Sequence, residues 1–368
     1  MNISTTKKEL QSAFNKLSKT TQLKSQNPLI NYTYILSSAS GVVLHSTDLE
    51  VGIKTQITAS INSPGEGLFP TSEMNDIINV IEDGRVDIDI SGPHINIKSE
   101  KGISFDIATI PLQDYPTIPE NKHELIFPIK SDELKELIDQ VIYIIKVDPT
   151  KPALSGACFS FKEKQIDVVS TDGHRLIKIS NQNKTNINGS FIIPKKFLII
   201  LNTFLQDTDE VNVIFSGDHV FCNNAKDVFY SKIIDEKFPN YDAVIPSENP
   251  NKLILDKTDM SAALKAASIA VNKNTNQISL NFGEGKVFIK SINQSDNKTV
   301  HAPLKSAKYN GDECIIGFNL QYLKDAVSKY PEEKLIINFK NESSAVLLQP
   351  ESKNINITSL IMPVRINE

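Results

Sequence analysis

The sequence predicts an α+β protein built from three repeats of one domain, each with two helices packed on antiparallel sheets. Two observations predict it. Short segments recur along the chain at a nearly constant spacing, and helical and alternating patterns follow in the same order within each recurrence. A chain of 368 residues is long enough for two to three domains that each bury a core.

The recurrence begins with Ser46-Thr47-Asp48, which returns 124 residues later as Ser170-Thr171-Asp172. Three further matches keep this order at spacings of 124 to 126 residues: 68–70 with 192–194, 91–94 with 216–219, and Tyr115 with Tyr241. Such a period is too long for a solenoid repeat and predicts homologous domains. Stretches rich in Pro and Asn separate the repeats, which places the domains at 1–120, 124–246 and 252–368.

Each repeat shows the same local patterns. A first helix is indicated by apolar residues at helical spacing, such as Leu10, Phe14 and Leu17 in the first repeat. The equivalent sets are Leu134, Leu137, Ile138, Val141 and Ile142, then Met260, Ala263, Leu264 and Ala267. A second helix is predicted near 72–81, 195–205 and 320–329. Alternating segments such as 86–90 and 95–97, joined by a Gly-Pro turn, predict hairpins.

Composition limits the function classes. The formal net charge of −5 argues against a protein that binds nucleic acid over its whole surface. The three cysteines, Cys158, Cys222 and Cys314, have no paired spacing, so disulfide frameworks and zinc sites are not expected and a reducing compartment is. The sequence has no secretion signal pattern and no apolar run of membrane length. We therefore expect a cytoplasmic protein.

The motif that most suggests catalysis is the segment 170–175, in which Asp172 and His174 lie beside hydroxyl side chains. A hairpin turn with Asp-Gly at its tip explains the same residues, and neighbours on one strand point to opposite faces. The six histidines are isolated, so no metal site and no cofactor are expected. We predict a protein that is not an enzyme. The alternatives are a hydrolase using Asp172 and His174, and a β-rich binding protein built from repeats.

Basic residues concentrate on predicted helices. The first helix and its exit carry Lys7, Lys8, Lys16, Lys19 and Lys24 against Glu9 alone, and Lys195 and Lys196 begin another helix. Acidic residues gather in loops beside strands, for example at 82–89 and 207–210. A surface shared by the basic helices would suit a phosphate backbone.

Together these features resemble the bacterial DNA polymerase III beta subunit, the sliding clamp, over essentially the whole chain. The segments that carry the resemblance are 46–50, 114–116, 170–176, 191–196, 237–241, 317–319 and 362–365. The resemblance implies a non-catalytic processivity factor of DNA replication. Two chains would join head to tail into a six-domain ring that encircles double-stranded DNA without sequence specificity. The ring would tether the replicative polymerase.

The resemblance also implies three kinds of site. Short peptide motifs of the polymerase III catalytic subunit, the clamp loader, other polymerases and repair proteins would enter a pocket between the second and third domains. Its expected lining is Leu154, Thr171, Gly173, His174, Arg175, Leu176, Pro239, Val244, Asn319, Tyr322, Leu360, Ile361, Met362, Pro363, Val364 and Arg365. Lys24, Lys195 and Lys196 are expected to face DNA. Phe105, Ile107, Ile269 and Ala270 are expected at the dimer interface.

Overall fold

A computed structural model describes residues 1–21, 27–120, 125–205, 210–283, 285–352 and 356–366. The chain divides into two compact units. Unit 1 comprises Met1–Lys135 and Lys196–Ile234, and unit 2 comprises Glu136–Lys195 and Asp235–Glu368. Residues of the predicted middle domain contribute to both units. The division into domains at 1–120, 124–246 and 252–368 stays a prediction.

Six helices lie at the places where the periodicity predicts them. They are α1 (Lys7–Leu17), α2 (Thr71–Val80), α3 (Ser131–Val141), α4 (Lys195–Phe204), α5 (Lys257–Ala267) and α6 (Leu320–Lys329). The hydroxyl of Thr6 accepts a hydrogen bond from the backbone of Glu9 and caps α1. The predicted apolar faces are buried, as Leu10, Phe14 and Leu17 show in α1. The two-helix pattern of each repeat is confirmed.

The strands follow the alternating segments of the sequence. The first ten are β1 (Asn2–Thr6), β2 (Tyr32–Ser38), β3 (Gly41–Thr47), β4 (Val51–Ile57), β5 (Ser60–Ser63), β6 (Gly65–Pro70), β7 (Arg85–Ser91), β8 (His94–Ser99), β9 (Ser104–Ala108) and β10 (Leu125–Lys130). The next seven are β11 (Gly156–Phe161), β12 (Gln165–Thr171), β13 (Arg175–Gln182), β14 (Gly189–Pro194), β15 (Glu210–Ser216), β16 (His219–Asn223) and β17 (Asp227–Lys232). The last nine are β18 (Asn251–Asp256), β19 (Gln277–Gly283), β20 (Lys286–Asn293), β21 (Lys298–Pro303), β22 (Lys308–Asn310), β23 (Cys314–Asn319), β24 (Lys334–Phe339), β25 (Val346–Leu348) and β26 (Ile357–Ile361).

Each unit contains one long and one short antiparallel sheet. In unit 1 the strand orders are β10-β15-β16-β17-β4-β3-β2-β6 and β5-β1-β7-β8-β9. In unit 2 they are β14-β11-β12-β13-β26-β25-β24-β18-β22 and β21-β20-β19-β23. Strands far apart in sequence therefore meet at the centre of each long sheet, where β17 pairs with β4 and β26 pairs with β13.

The cores lie between helices and sheets. In unit 2, α5 and α6 pack over a cluster that includes Leu264, Phe282, Phe318, Leu323 and Phe339. Fully burying such a side chain contributes about 1.5–3 kcal/mol, so the helix faces hold the layers together. Among the described residues, no helix is long and apolar enough to cross a membrane.

Candidate peptide-binding site

The centre of the long sheet in unit 2 carries an apolar patch on one face. Leu176 of β13 lies opposite Leu360 of β26, and both side chains are almost fully buried. Around this pair lies a single cluster, here called the apolar floor. Its members are Val169, Leu176, Tyr241, Ala345, Leu347 and Leu360, with Phe238 and Ile245 packed against them. The floor therefore combines residues of the segment 169–176 with Leu360 of the last strand. The resemblance implies the same combination.

The segment 171–175 forms a tight turn at the end of the floor. The Asp172 carboxylate accepts hydrogen bonds from the backbone of His174 at 3.0 Å and of Arg175 at 3.1 Å. Gly173 has a φ of +87°, a conformation that glycine adopts without strain. The Asp172 carboxylate therefore stabilises the turn, because it accepts hydrogen bonds from the backbone of His174 and Arg175. This is the arrangement of a structural turn, which does not favour the hydrolase alternative.

Arg175 connects this turn to α6. Its guanidinium donates to Asp172 at 3.2 Å, to Asp325 at 2.7 Å and to the carbonyl of Tyr143 at 3.2 Å. It also lies over the ring of Tyr322, 4.4 Å from the centroid. The side chain is only 6% exposed. Arg175 therefore fixes the position of the turn, and its planar fork suits several acceptors at once.

The chain's end runs between the turn and β23. Met362 donates its backbone N–H to the carbonyl of His174 at 2.8 Å, and Val364 donates to Gly317 at 2.9 Å. The Met362 side chain is 39% exposed at the edge of the floor. A flexible, polarisable side chain at this place can adapt to different ligands.

A further segment that packs on the floor is 238–245, which we call the wall. It contains Pro239, Tyr241 and a short 3-10 helix at Asp242–Val244, and the Val244 side chain is 54% exposed. The Tyr241 hydroxyl donates to Asp167 at 3.0 Å. Exposed apolar residues such as Val244 and Met362 near a buried apolar floor are typical of a peptide-binding groove.

Asp167 is a buried anchor beneath this wall. Besides Tyr241, it accepts hydrogen bonds from Lys162 at 2.8 Å, Gln165 at 2.6 Å and Ser180 at 2.6 Å. Burial acts to raise the pKa of Asp167, but the bonds from Lys162 and its neighbours outweigh it and lower the pKa to about 2. Asp167 therefore stays charged at neutral pH and holds the wall.

A cavity of about 640 Å³ lies next to the apolar floor, on the same face of the sheet. Lys178 of β13 and Thr358 of β26, each two residues from the floor leucines, face it, and Asp242 and Ile245 of the wall line its side. Lys178 donates to Asp242 at 2.7 Å. The surface next to the apolar floor is therefore polar.

The structure brings most of the predicted pocket residues together. The contacts above join 171–176 with Leu360 and Met362, and the His174 ring stacks on Tyr322. Val364 contacts Gly317 instead. Asn319 uses its side-chain oxygen to cap α6. Ile361 packs into the helical core, on the face opposite Leu360. Leu154 ends a 3-10 helix that comprises Pro152–Leu154, and Pro363 and Arg365 follow β26.

Some residues of the site were not expected from the sequence. Tyr143, Asp167, Val169 and Asp325 hold or form the groove, and none carries a motif of its own. Tyr241 had a signal, since it recurs as the counterpart of Tyr115. A search for repeat matches on strand faces could have added Val169, which lies directly before the recurrent Ser-Thr-Asp segment.

The lysines predicted to face DNA make contacts within the protein. In unit 1 the Lys196 ammonium pairs with the buried carboxylate of Asp48. In unit 2 Lys195 donates to the carbonyl of Ile145 at 2.6 Å. Lys24 lies outside the described residues. Lys8 and Lys19 on and after α1 are exposed.

Of the residues predicted at the dimer interface, Phe105, Ile107 and Ile269 are accessible in the single chain and Ala270 is not. Phe105 and Ile107 are half-buried on β9, which forms one edge of the short sheet of unit 1. Ile269 follows α5 and is 72% exposed, whereas the neighbouring Ala270 is fully buried. Strand β21 is likewise an edge strand in unit 2. An unpaired strand edge is a ready place for pairing with another chain.

Across the part of the chain that the structure describes, no three His, Cys, Asp or Glu side chains are grouped so as to hold a metal ion.

Comparison with known proteins identifies relatives along the full chain. Sequence models of the DNA polymerase III beta subunit match in order: the N-terminal domain over residues 1–119, the central domain over 128–240 and the C-terminal domain over 242–365. The beta sliding clamp of Pseudomonas aeruginosa is 26% identical over 92% of this chain and 93% of its own. The beta sliding clamp of Rickettsia felis is 26% identical, with 94% of each chain covered. The crystal structure of the Pseudomonas aeruginosa subunit superposes with a TM-score of 0.94 over 100% of both chains, at 23% identity.

Proposed function

The chain belongs to the DNA polymerase III beta subunit family of sliding clamps, and from this premise we propose that two copies close head to tail into a ring around duplex DNA. The ring tethers the replicative polymerase and acts without catalysing a reaction. The observation that carries the proposal is the ordered match of all three domains of one clamp along the chain. The predicted domain limits of 1–120, 124–246 and 252–368 are part of it.

Ring closure draws on the free edges of the two short sheets. Strand β9, with Phe105 and Ile107, would meet the region of α5 and β21 in the partner chain, with Ile269 covered in the contact. Pairing of edge strands supplies main-chain hydrogen bonds, and the exposed Ile269 supplies apolar area. Both edges belong to every chain, so a head-to-tail arrangement would use each edge once and close.

The ring holds DNA by enclosing it, and this explains how a chain with a negative net charge can act on DNA. A net charge of −5 disfavours tight binding to phosphate, whereas a few basic groups on the inner surface permit sliding. Lys24, Lys195 and Lys196 are the residues proposed for that surface. We propose Lys8 on α1 and Lys19 just after it for the same surface, because both side chains are exposed.

Partner proteins dock on the apolar floor. Polymerase III catalytic subunit, clamp loader, other polymerases and repair proteins would each insert a short apolar segment between the wall and Met362. The buried Leu176 and Leu360, the exposed Val244 and Met362, and the polar turn at 171–175 support this assignment. One site shared by several partners requires an adaptable rim, which Met362 provides. The proposed place of action is the cytoplasm.

Retention on DNA of different topology tests the proposal. The protein is loaded with a clamp loader and ATP onto nicked circular DNA, separated by gel filtration, and the DNA is then cut with a single-site nuclease. A clamp stays on the circle and is lost from the linear form. Equal retention on both forms would exclude enclosure, and a solution mass of a single chain would exclude the ring.

A further inference from the structure

The cavity beside the apolar floor continues the surface of the floor along the strands of the sheet. Lys178 and Thr358, which line it, each lie two residues from a floor leucine, and Ser180 lies four residues from Leu176. Successive strand residues are about 3.3 Å apart, so the cavity begins about 7 Å from the two leucines. An extended peptide advances by a similar distance per residue. A segment that runs from the floor along the strands therefore reaches the cavity two to four residues later.

The cavity has the size and part of the lining that a long side chain requires. Its volume of about 640 Å³ lies within the range of about 300–1,000 Å³ that is typical of binding pockets. Ile245, Pro246 and Ile357 line it and offer apolar contact. Lysine and arginine combine an aliphatic stem with a charged head, so such a side chain gains from both apolar and polar surroundings.

Side-chain donors on the cavity wall are used within the protein. Lys178 donates to Asp242 at 2.7 Å. Gln165 and Gln349 donate their Nε2 groups to neighbouring side chains on the sheet, at 2.6 Å and 3.2 Å. Among the contacts of the described residues, the amide oxygens of these two glutamines accept no hydrogen bond. The cavity therefore offers acceptors to a ligand, which favours a ligand group that donates.

The charges around the cavity leave one carboxylate uncompensated. Lys162 and Lys178 both pair with Asp167 and Asp242, at 2.7 to 3.6 Å, so these four charges balance one another. Glu351 also lines the cavity, its side chain is exposed, and no described residue forms a salt bridge with it. A carboxylate next to free amide oxygens is complementary to an ammonium or guanidinium group.

We propose that the cavity is a second subsite of the groove, which binds a lysine or arginine located two to four residues from the apolar pair of a partner segment. This inference rests on the proposed function of the floor. The apolar pair would cover Leu176 and Leu360, and the basic group would lie near Glu351. The partners selected in this way are peptides that carry a basic residue beside the apolar pair. An acidic residue at the same place would meet Glu351 and is disfavoured.

Calorimetry with the full-length protein and synthetic twelve-residue peptides tests the proposal. Each peptide has adjacent Leu and Phe between serine flanks. Because a segment can cross the floor in either direction, one lysine is placed three residues before the pair in one peptide and three residues after it in another. We expect one of the two lysine peptides to bind at least fivefold more tightly than the serine peptide. Glutamate at the same position is expected to bind more weakly than serine.

Variants at position 351 identify the cavity as the source of the effect. Glu351→Gln should abolish the gain from lysine, and Glu351→Lys should reverse the preference, so that the glutamate peptide binds more tightly than the lysine peptide. Because the side chain is exposed, we expect both variants to fold. Glu342→Gln removes an exposed carboxylate that does not line the cavity, and it is the matched control that should keep the gain.

Equal affinities of the serine, lysine and glutamate peptides would overturn the second subsite and leave the floor as the binding site. A gain from lysine that persists in Glu351→Gln and Glu351→Lys would also overturn it, because the net charge of −5 would then account for the effect. No binding of any peptide by the native protein would instead contradict the proposed groove in unit 2, and the subsite with it.

Discussion

Arg175 donates a hydrogen bond of 2.7 Å to Asp325, which joins the turn at 171–175 to helix α6. The two residues are 150 positions apart, and the bond is made by a side chain that is almost fully buried. The same guanidinium reaches Asp172 and the carbonyl of Tyr143. Arg175 therefore ties the turn, and with it His174 beside the floor, to α6 and to Tyr143.

Replacing Arg175 by Lys should destabilise unit 2 and weaken peptide binding. A lysine keeps the charge but cannot reach three acceptors with one planar group, so a buried acceptor is left without a donor. We expect a loss of about 1–3 kcal/mol in the free energy of unfolding and lower peptide affinity. Urea unfolding and calorimetry measure the two effects. Arg85→Lys, at an exposed ion pair, is the control and should change neither. Native stability in Arg175→Lys would refute this role.

Lys196 should matter for folding as well as for DNA. Its ammonium pairs with Asp48, whose carboxylate is buried and also accepts from the backbone of Glu50 and Val51. Lys196→Glu would place two carboxylates together and leave a buried charge unpaired, so we expect a marked drop in the thermal midpoint. Lys19→Glu, at an exposed lysine, should reduce retention on DNA at moderate salt with an unchanged midpoint. Equal midpoints for the two variants would contradict the importance of the buried pair.

The sequence predicted the elements of the fold better than the contacts of the site. Helix faces such as Leu10, Phe14 and Leu17 are local patterns, and the repeat reinforced them three times. The pairs Arg175 with Asp325 and Lys196 with Asp48 each join a helix residue to a distant turn or strand end, and such tertiary packing is encoded by no local pattern. The sequence alone therefore predicts that Lys196 faces DNA, because nothing in it identifies Asp48 as the partner of this lysine.

His45 should make unit 1 sensitive to acid between pH 6.5 and 4. Burial, with a smaller contribution from the charge of Lys54, lowers the pKa of His45 to about 4. In the unfolded chain His45 is protonated below about pH 6.5, whereas in the folded chain it is protonated only below about pH 4. The free energy of unfolding therefore falls as the pH drops through this window. The loss amounts to about 3 kcal/mol when complete.

Urea unfolding at pH 7.0, 5.5 and 4.5 measures this dependence. His45→Val, which introduces the residue found one repeat spacing of 124 later at Val169, should flatten the slope even if it lowers stability at pH 7.0. Asp167 does not affect this comparison. Because its pKa is about 2, its contribution to the free energy of unfolding is lost only at pH values below the window. Parallel slopes for native protein and variant would show that His45 is not the titrating group.

Ile269→Asp should yield monomers with a native fold. The side chain is 72% exposed in the single chain, so a carboxylate there stays hydrated and folding is not affected. In the proposed ring the same position is covered by the partner chain, where an unpaired charge is strongly disfavoured. Sedimentation equilibrium distinguishes one chain from two. Val147→Asp, at a side chain 70% exposed, is the matched control and should remain dimeric. A dimer of unchanged mass for Ile269→Asp would remove this residue from the interface.

Deleting residues 362–368 should leave a folded dimer that no longer binds partner peptides. The deletion begins after the last residue of β26, so the pairing of Leu360 with Leu176 in the floor is kept. It removes the exposed Met362 and the backbone bonds from Met362 to His174 and from Val364 to Gly317, which form one rim of the groove. With one side of the groove absent, we expect peptide affinity to fall at least tenfold, or about 1.4 kcal/mol. Calorimetry reports the affinity, and sedimentation and thermal unfolding report the fold. Deletion of 367–368 alone is the control, with native affinity expected. Equal affinity for the 362–368 deletion and the native chain would exclude the tail from the site, because the apolar floor alone would then suffice for binding.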